Sequence, residues 1–446
     1  MGKPWGIARN PPSVKAKLRD FFENPANRQC GHIVARVRDS KNLHREHFEH
    51  CLIIKICLNL PPKRLEIMQN ASFDLRFSTS HVSNPRKIII ACGGTGGHLF
   101  PGIAVAEALR ARGHEVLLLI SEKKVDAEAS AKYSHLRFET VPAVAKPPTF
   151  SLRMLPFLWK TWGSIDRCRK ILREFGADAV LGMGGFTSLP PVYAGHKMGL
   201  KTFIHDSNAR PGRANVLTSR FCTQVFLGLE AAKEFFPNRQ TVVTGTPVRP
   251  EIIHLPDREE AASMFGLNPE KTTILVTGGS QGARQLNELS AQAAEKLPAG
   301  MQVLHIAGAL DFERVSEIAH GRPGHKVLGF CDQMPAAYAV ADLVIARSGA
   351  SSLTEISISG HPSILVPYPF AADDHQTRNA EVFSAAGAAM LVQERDLDAK
   401  KLASLATSIL QDLPTYKRMA KAARALAIPD AADRVCAAIE TALCPQ

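Results

Sequence analysis

No run of apolar residues in this sequence is long enough to cross a bilayer. The longest early stretch, CLIIKICLNLPP (51–62), is broken by Lys55 and stopped by Pro61 and Pro62, short of the roughly 20 residues a spanning helix requires. It also begins too far into the chain for a signal peptide. The nine cysteines form no CxxC pair and follow no regular spacing, which argues against a disulfide framework and for reduced thiols in a cytoplasm. No RNA-binding signature and no basic stripe with interleaved aromatics appears, so nucleic acid is not an expected partner.

What is present fits a two-domain globular protein. A chain of 446 residues with 45% hydrophobic content can bury two ordinary cores. The net charge of +12 is uneven. Residues 1–84 hold 14 Lys/Arg against 7 Asp/Glu, the remainder 40 against 35. A mildly basic body suits phosphates or an anionic membrane surface. The first 84 residues show no sustained periodicity and read as a basic, poorly ordered extension. His44, His47 and His50 are spaced to share a helix face, but no matching ligand set accompanies them. Met68 offers an internal start.

From Lys87 the pattern changes to apolar strands alternating with helix-length segments. KIIIAC, EVLLLIS, DAVLGMG, TFIHD and QVFLG form one series; TTILVTGG, QVLHIAG, KVLGF, LVIARSG and PSILVPYP form another. Continuous Val/Ile/Leu runs of this kind predict parallel strands covered on both faces. The turns after the leading strands echo each other, IIIACGGTGGH at 88–98 and ILVTGGSQGA at 274–283. The chain therefore reads as α/β, with two Rossmann-like halves. The proline-rich 244–257 is the expected hinge.

The glycine turns carry the chemistry. In GGTGGH the third glycine of a dinucleotide fingerprint would fall on Leu99, although Glu122 stands where a ribose contact would. A glycine turn opening a helix is still a good anion site, because free N–H groups and the helix dipole face the loop. Pro101 is expected in that helix's first turn. A further cluster, GMGGF (182–186), could join the first loop around a diphosphate. In ARSGASSLTEI (346–356) a helix beginning near Ala350 forms another cradle, with Glu355 at reach of ribose hydroxyls. PYPFAADDHQTRNA (367–380) sets Asp373, Asp374, His375, Gln376 and Asn379 after a strand end; Asp374 can equally cap a helix. The Asp373–Asp374 pair has no second cluster with metal-ligand spacing. Residues 150–175 combine Leu152, Leu155, Phe157, Leu158, Trp159 and Trp162 with Arg153, Lys160, Arg167, Arg169 and Lys170, which suits either a helix lying on an anionic bilayer or a core helix.

GGTGGHLFPGIAVAEAL, VLGMGGFTSLP, VTGGSQGARQLN, RSGASSLTEI and DDHQTRNAE, in this order, resemble the MurG family of family 28 glycosyltransferases. The likeness covers about 87–446. It implies a GT-B fold, with parallel sheets in two Rossmann-like domains facing a central cleft. An acceptor domain would span 85–249, completed by a terminal helix at 428–446, and a donor domain 250–427. It implies inverting transfer of N-acetylglucosamine from UDP-N-acetylglucosamine to the C4 hydroxyl of lipid I, with no cofactor and no metal, at the cytoplasmic face of the inner membrane. Other cell-wall synthesis proteins are further possible partners. On the donor side the resemblance implicates Arg249, Ser280, Gln281, the Phe330–Cys331 backbone, the turn Ala350, Ser351, Ser352, Leu353 and Thr354, then Glu355, Gln376 and Asn379. On the acceptor side it implicates Thr95, Gly96, Gly97 and Asn208. His98 is the candidate general base and Asp206 its rival. The family's usual HEQN is HDSN here (205–208), Thr246 replaces the usual Asn before Pro-Val-Arg, and Ser351 stands where leucine is common. Two alternatives remain: a UDP-N-acetylglucosamine 2-epimerase or another lipid-linked transferase of the same fold, and a non-catalytic nucleotide-binding scaffold.

Overall fold

The computed structural model describes residues 34–36, 51–53, 85–142, 154–278 and 283–444. Within the first 83 residues, β1 (Val34–Arg36) pairs antiparallel with β2 (Cys51–Ile53). His44, His47 and His50, and the rest of the extension, lie outside the described residues.

Two parallel sheets occupy residues 84–446. The first is built from β3 (Lys87–Ala91), β4 (Glu115–Ile120), β5 (Arg137–Thr140), β6 (Ala179–Gly182), β7 (Lys201–Asp206), β8 (Gln224–Leu227) and β9 (Thr241–Val243), in the order β5-β4-β3-β6-β7-β8-β9. The second holds β10 (Thr272–Thr277), β11 (Met301–Ile306), β12 (His325–Leu328), β13 (Leu343–Ala346), β14 (Ser363–Leu365) and β15 (Ala389–Leu391), in the order β12-β11-β10-β13-β14-β15. Each order reverses beside its leading strand, between β3 and β6 and between β10 and β13. Such switch points leave a crevice at the carboxyl ends of the strands, where ligands of open α/β sheets bind.

Why unbroken apolar runs form these strands is visible in β3. Ile88 and Ile90 pack into the core on one face, and Ile89 and Ala91 into a separate core on the other. Neither face meets water, so polar alternation would be penalised at each site; burying a large aliphatic contributes roughly 1.5–3 kcal/mol. The helix Gly96–Ala111 covers the first face through Leu99, Ile103, Ala106 and Leu109, and Ile171, Leu172 and Phe175 of the helix Met154–Phe175 cover the second.

The last helix, Ala431–Leu443, does not stay with the second sheet. Its Val435, Cys436 and Ile439 are fully buried in the core of the first. Arg112 holds it from outside through Asp433 (2.7 Å) and Glu440 (2.9 Å), and His114 reaches Glu440 at 3.0 Å. At the first crossing between halves Gly245 adopts φ +77°, and a Cβ there would lie 2.7 Å from Ile428 at the second crossing. The two connections therefore run side by side, and only glycine fits at that point.

One expectation needs correcting. The helix after the first glycine turn begins at Gly96, so Pro101 sits in its second turn. There it has no N–H to return to the carbonyl of Gly97.

Candidate functional site

At the switch point of the first sheet, Thr95 is extended (φ −152°, ψ 153°) and the helix starts on the next residue. This places His98 in the first turn, with the Thr95 hydroxyl 3.2 Å from its Nδ1. The other side of the ring rests on the loop after β6. A Cβ on Gly184 would stand 2.9 Å from His98 Nε2, and one on Gly185 3.2 Å from Cε1. Both glycines have positive φ, +116° and +74°, so backbone conformation and ring contact each call for the absence of a side chain. The 182–186 loop thus seats the histidine, where the sequence had suggested a second arm around a diphosphate. Burial lowers the His98 pKa to about 4; the charge of Lys123 adds to this and Asp126 opposes it. The imidazole is neutral at pH 7, the form that accepts a proton.

The first glycine turn is held from the segment that follows β4, where Asp126 lies in the helix Lys124–Lys132. Asp126 is fully buried, and its Oδ2 accepts from the amides of Gly94 (2.9 Å) and Ser121 (2.8 Å) and from the Ser121 hydroxyl. Lys123 donates to the Gly94 carbonyl at 2.8 Å. Sequence reasoning had picked out Glu122, which is exposed. The carboxylate that meets the loop comes four residues later.

Asp206, the rival base, stands at the end of β7 with donors on both oxygens. Its Oδ1 accepts from the Asn208 backbone (2.9 Å) and side chain (3.4 Å), and its Oδ2 from Gly212 (3.2 Å) and Asn215 Nδ2 (2.7 Å). Burial raises its pKa, and these donors hold it back. Both oxygens are engaged in shaping the 206–215 loop. Asn215 extends the same network, accepting from the Gly185 amide at 3.0 Å, and so links Asp206 to the seat of His98.

Across the seam, the turn after β13 brings Ser348 and Gly349 to the helix Ala350–Ser359. A Cβ on Gly97 would lie 3.6 Å from the Ser351 hydroxyl, so the opening turns of the two halves face each other. Asn379 joins them: its Oδ1 accepts from the Ala209 amide (2.7 Å), and its Nδ2 donates to Asn208 Oδ1 (3.1 Å) and to the Ser348 carbonyl (3.1 Å). Arg213 grips Asp373 with two hydrogen bonds, from Nε (3.1 Å) and Nη2 (2.5 Å). That carboxylate had been weighed for a metal. Asp373 and Asp374 both adopt left-handed backbone, φ +52° and +54°. The Arg249 guanidinium lies 4.8 Å from the centre of the Phe100 ring.

The remaining expected residues divide. Gln376 is hydrogen-bonded through its Oε1 to the Tyr368 amide (2.9 Å), and its carbonyl accepts from Ser348 (2.8 Å). Glu355 is half-buried, faces Arg249, and accepts at Oε2 from the Tyr338 hydroxyl at 3.0 Å. Cys331 is buried beside the exposed Phe330. The Leu353 side chain belongs to the core, and its amide is bonded to the Gly349 carbonyl at 3.0 Å. The Thr354 hydroxyl is likewise engaged by the Ala350 carbonyl at 2.9 Å. Amides in the first turn, at Ala350, Ser351 and Ser352, lack partners within the helix and carry its positive end, which suits a phosphate. Ser280 and Gln281 lie outside the described residues. Sequence reading missed Arg347, just before this turn: it is buried against Glu394 and donates to the carbonyls of Val366 and Pro367, each at 3.0 Å.

Two parallel sheets with opposed turns and a half-buried acid on the second form an architecture suited to a nucleotide sugar. Residues 88–227 match the glycosyltransferase family 28 N-terminal domain, and residues 273–435 match the family 28 C-terminal domain. The chain belongs to this family. A relative from Nostoc sp., named UDP-N-acetylglucosamine–N-acetylmuramyl-(pentapeptide) pyrophosphoryl-undecaprenol N-acetylglucosamine transferase, is 37% identical over 355 residues, covering 79% of this chain and 97% of that protein. The crystal structure of Acinetobacter baumannii MurG is similar with a TM-score of 0.66 at 28% identity, over 80% of this chain and all of that one. A Neisseria meningitidis UDP-GlcNAc 2-epimerase bound to UDP-GlcNAc gives a TM-score of 0.59 at 14% identity, over 80% of this chain and all of that one, a likeness of fold alone.

Proposed function

We propose that this chain is an inverting transferase that moves N-acetylglucosamine from UDP-N-acetylglucosamine to the C4 hydroxyl of the muramoyl sugar in lipid I, giving lipid II. The observation that carries the reading is the near full-length likeness to relatives bearing that enzyme name, on a chain whose two helix-opening turns face each other through Gly97 and Ser351, with His98 in the first turn of one of those helices.

In this reading the donor lies on the second sheet. The first-turn amides of Ala350, Ser351 and Ser352 receive its diphosphate, Glu355 its ribose hydroxyls, and the Phe330–Cys331 backbone its uracil. Gln376 and Arg249 line the sugar side. Ser280 and Gln281 belong to the same set by family resemblance. Thr95, Gly96 and Gly97, at the positive end of the opposing helix, take the acceptor diphosphate, and Asn208 borders it. Asn379 holds the two sides in register. His98 takes the proton of the acceptor hydroxyl as its oxygen attacks the anomeric carbon and UDP departs from the opposite face. A neutral imidazole, seated on Gly184 and Gly185, is suited to that step. Asp206 supports the loop behind it.

The acceptor is a membrane lipid, and the reading includes peripheral attachment to the cytoplasmic face of the inner membrane. Trp159 and Trp162, 81% and 66% exposed on the helix Met154–Phe175, support a surface contact. Leu152 and Arg153, and the side chains of Leu155, Phe157, Leu158 and Lys160, lie outside the described residues. Among the described residues no helix is long and apolar enough to cross a membrane.

Radiolabelled sugar transfer to a lipid I analogue tests the function. Label should appear in the lipid only when acceptor is present. Formation of a 2-epimer of UDP-N-acetylglucosamine without acceptor would instead establish the epimerase.

A further inference from the structure

We propose that Tyr338 is a positioning residue for the donor nucleotide: its hydroxyl fixes the Glu355 carboxylate so that Oε1 is presented to the ribose. The proposal rests on the donor-site reading above and adds to it a residue without substrate contact.

Tyr338 comes from the helix Met334–Val340 and is 1% exposed, among the largest fully buried side chains of the protein. Its phenol donates to Glu355 Oε2 at 3.0 Å. Its carbonyl is met by His361 Nε2 at 2.9 Å, and the two rings stack with centroids 6.4 Å apart. The ring is thus held by stacking and by its hydroxyl, and the backbone behind it by His361. A glutamate on a helix ordinarily samples several side-chain rotamers. Here a buried donor locks one oxygen, and among the described residues no other hydrogen bond reaches the carboxylate. One oxygen is committed inward and the other is left for a ligand.

The same contact bears on charge. Burial raises the Glu355 pKa, the Arg249 guanidinium lowers it, and the Tyr338 hydrogen bond lowers it too. Those are the charged and titratable groups facing Glu355; Cys331 and His361 face the tyrosine behind it. A ribose diol needs an acceptor, which the ionised carboxylate supplies at both lone pairs of Oε1. Without Tyr338, Glu355 takes up a proton at higher pH, and donor affinity falls from a higher pH onward as the solution is acidified.

Tyr338→Phe keeps the ring and its packing and removes only the hydroxyl. Two donors separate positioning from bulk stability: UDP-N-acetylglucosamine, and its analogue whose ribose lacks the 2′ and 3′ hydroxyls. The variant should raise KM for the natural donor about five- to tenfold, leave KM for the dideoxy donor within about twofold and kcat little changed, and move the acid-side rise of KM to higher pH. Titration of UDP and dideoxy-UDP onto the protein reads the same difference where turnover is weak. Equal rises for both donors would mean a packing role and overturn the proposal. So would an unchanged KM for the natural donor while Glu355→Ala erases the preference for the diol; that outcome spares the donor site. If Glu355→Ala itself leaves the preference intact, the donor-site reading fails and this proposal with it.

Discussion

Removing Glu394 should damage the second half of the molecule far more than removing any surface acid. Arg347 and Glu394 are each 7% exposed. The guanidinium also donates to the carbonyls of Val366 and Pro367 and lies 5.6 Å from the Tyr368 ring centre. In Glu394→Ala those carbonyls remain but the countercharge is gone, and a buried cation must either stay unpaired or pull the 366–368 segment toward water. Breaking a buried pair by deleting one partner typically costs about 3–5 kcal/mol. For a cooperative unit of 150–250 residues each kcal/mol moves Tm by about 2–4 °C, so a fall of roughly 6–20 °C is expected by circular dichroism. The double variant Arg347→Met, Glu394→Leu should lose less, since neither charge is then buried. Because Arg347 precedes Ser348 and Gly349, Glu394→Ala should also raise donor KM. As a control, Arg434→Ala removes an exposed i,i+4 pair with Asp430 at 3.0 Å and should change stability by less than about 0.5 kcal/mol. A Glu394→Ala loss no larger than this control, or a double variant worse than the single, would refute the reasoning.

His98→Ala should lower kcat by about 10²- to 10⁴-fold with donor binding nearly intact; a kcat within a few-fold of wild type in single-turnover assays would place the base elsewhere. Trp159→Ser with Trp162→Ser should release the protein from anionic liposomes in co-sedimentation without changing its circular dichroism, and full retention would rule out this helix as the contact. Stability should fall on acidification because His305 is held neutral: burial, then the His325 charge, lowers its pKa to about 3. The unfolded chain binds a proton near pH 6.5, so its contribution is complete above that pH and is lost as pH falls toward 3. Urea midpoints from pH 7 to 4.5 should decline, and His305→Gln should flatten the slope; an unchanged slope would exclude His305 as a source.

The strands were legible in the sequence because parallel strands buried on both faces admit no polar alternation. Ile88, Ile89 and Ile90 face two different cores and are apolar for two separate reasons. The glycine turns were legible in part because Gly94, Gly184 and Gly185 adopt positive φ, which disfavours other residue types. What the sequence did not reveal are the pairings that exist only after folding. Arg213 meets Asp373 across 160 positions and Asn379 meets Ala209 across 170, so no local pattern could announce either. Asp126 was missed in favour of Glu122 because reach in sequence differs from reach in space: the chain turns after β4, and the inward carboxylate comes from the following helix. The burial of Leu353 within the turn 350–354 has a helical cause. One side of the Ala350 helix faces the seam and the other the core, and a run of consecutive residues cannot all point at a ligand.

The return of the last helix has a consequence for biosynthesis. A ribosome releases the residues of the first sheet long before it has made Val435, Cys436 and Ile439, the side chains that close one face of it. Until then Ile88, Ile90, Leu99 and Ile103 have an incomplete cover, and the segment must wait with apolar surface open while the second sheet is synthesised. A nonsense codon that deletes only residues 431–446 would therefore harm the half of the protein encoded at the opposite end of its gene. For the same reason a fragment cut at residue 250 should be insoluble, and adding the 428–446 peptide in trans is the natural attempt to rescue it.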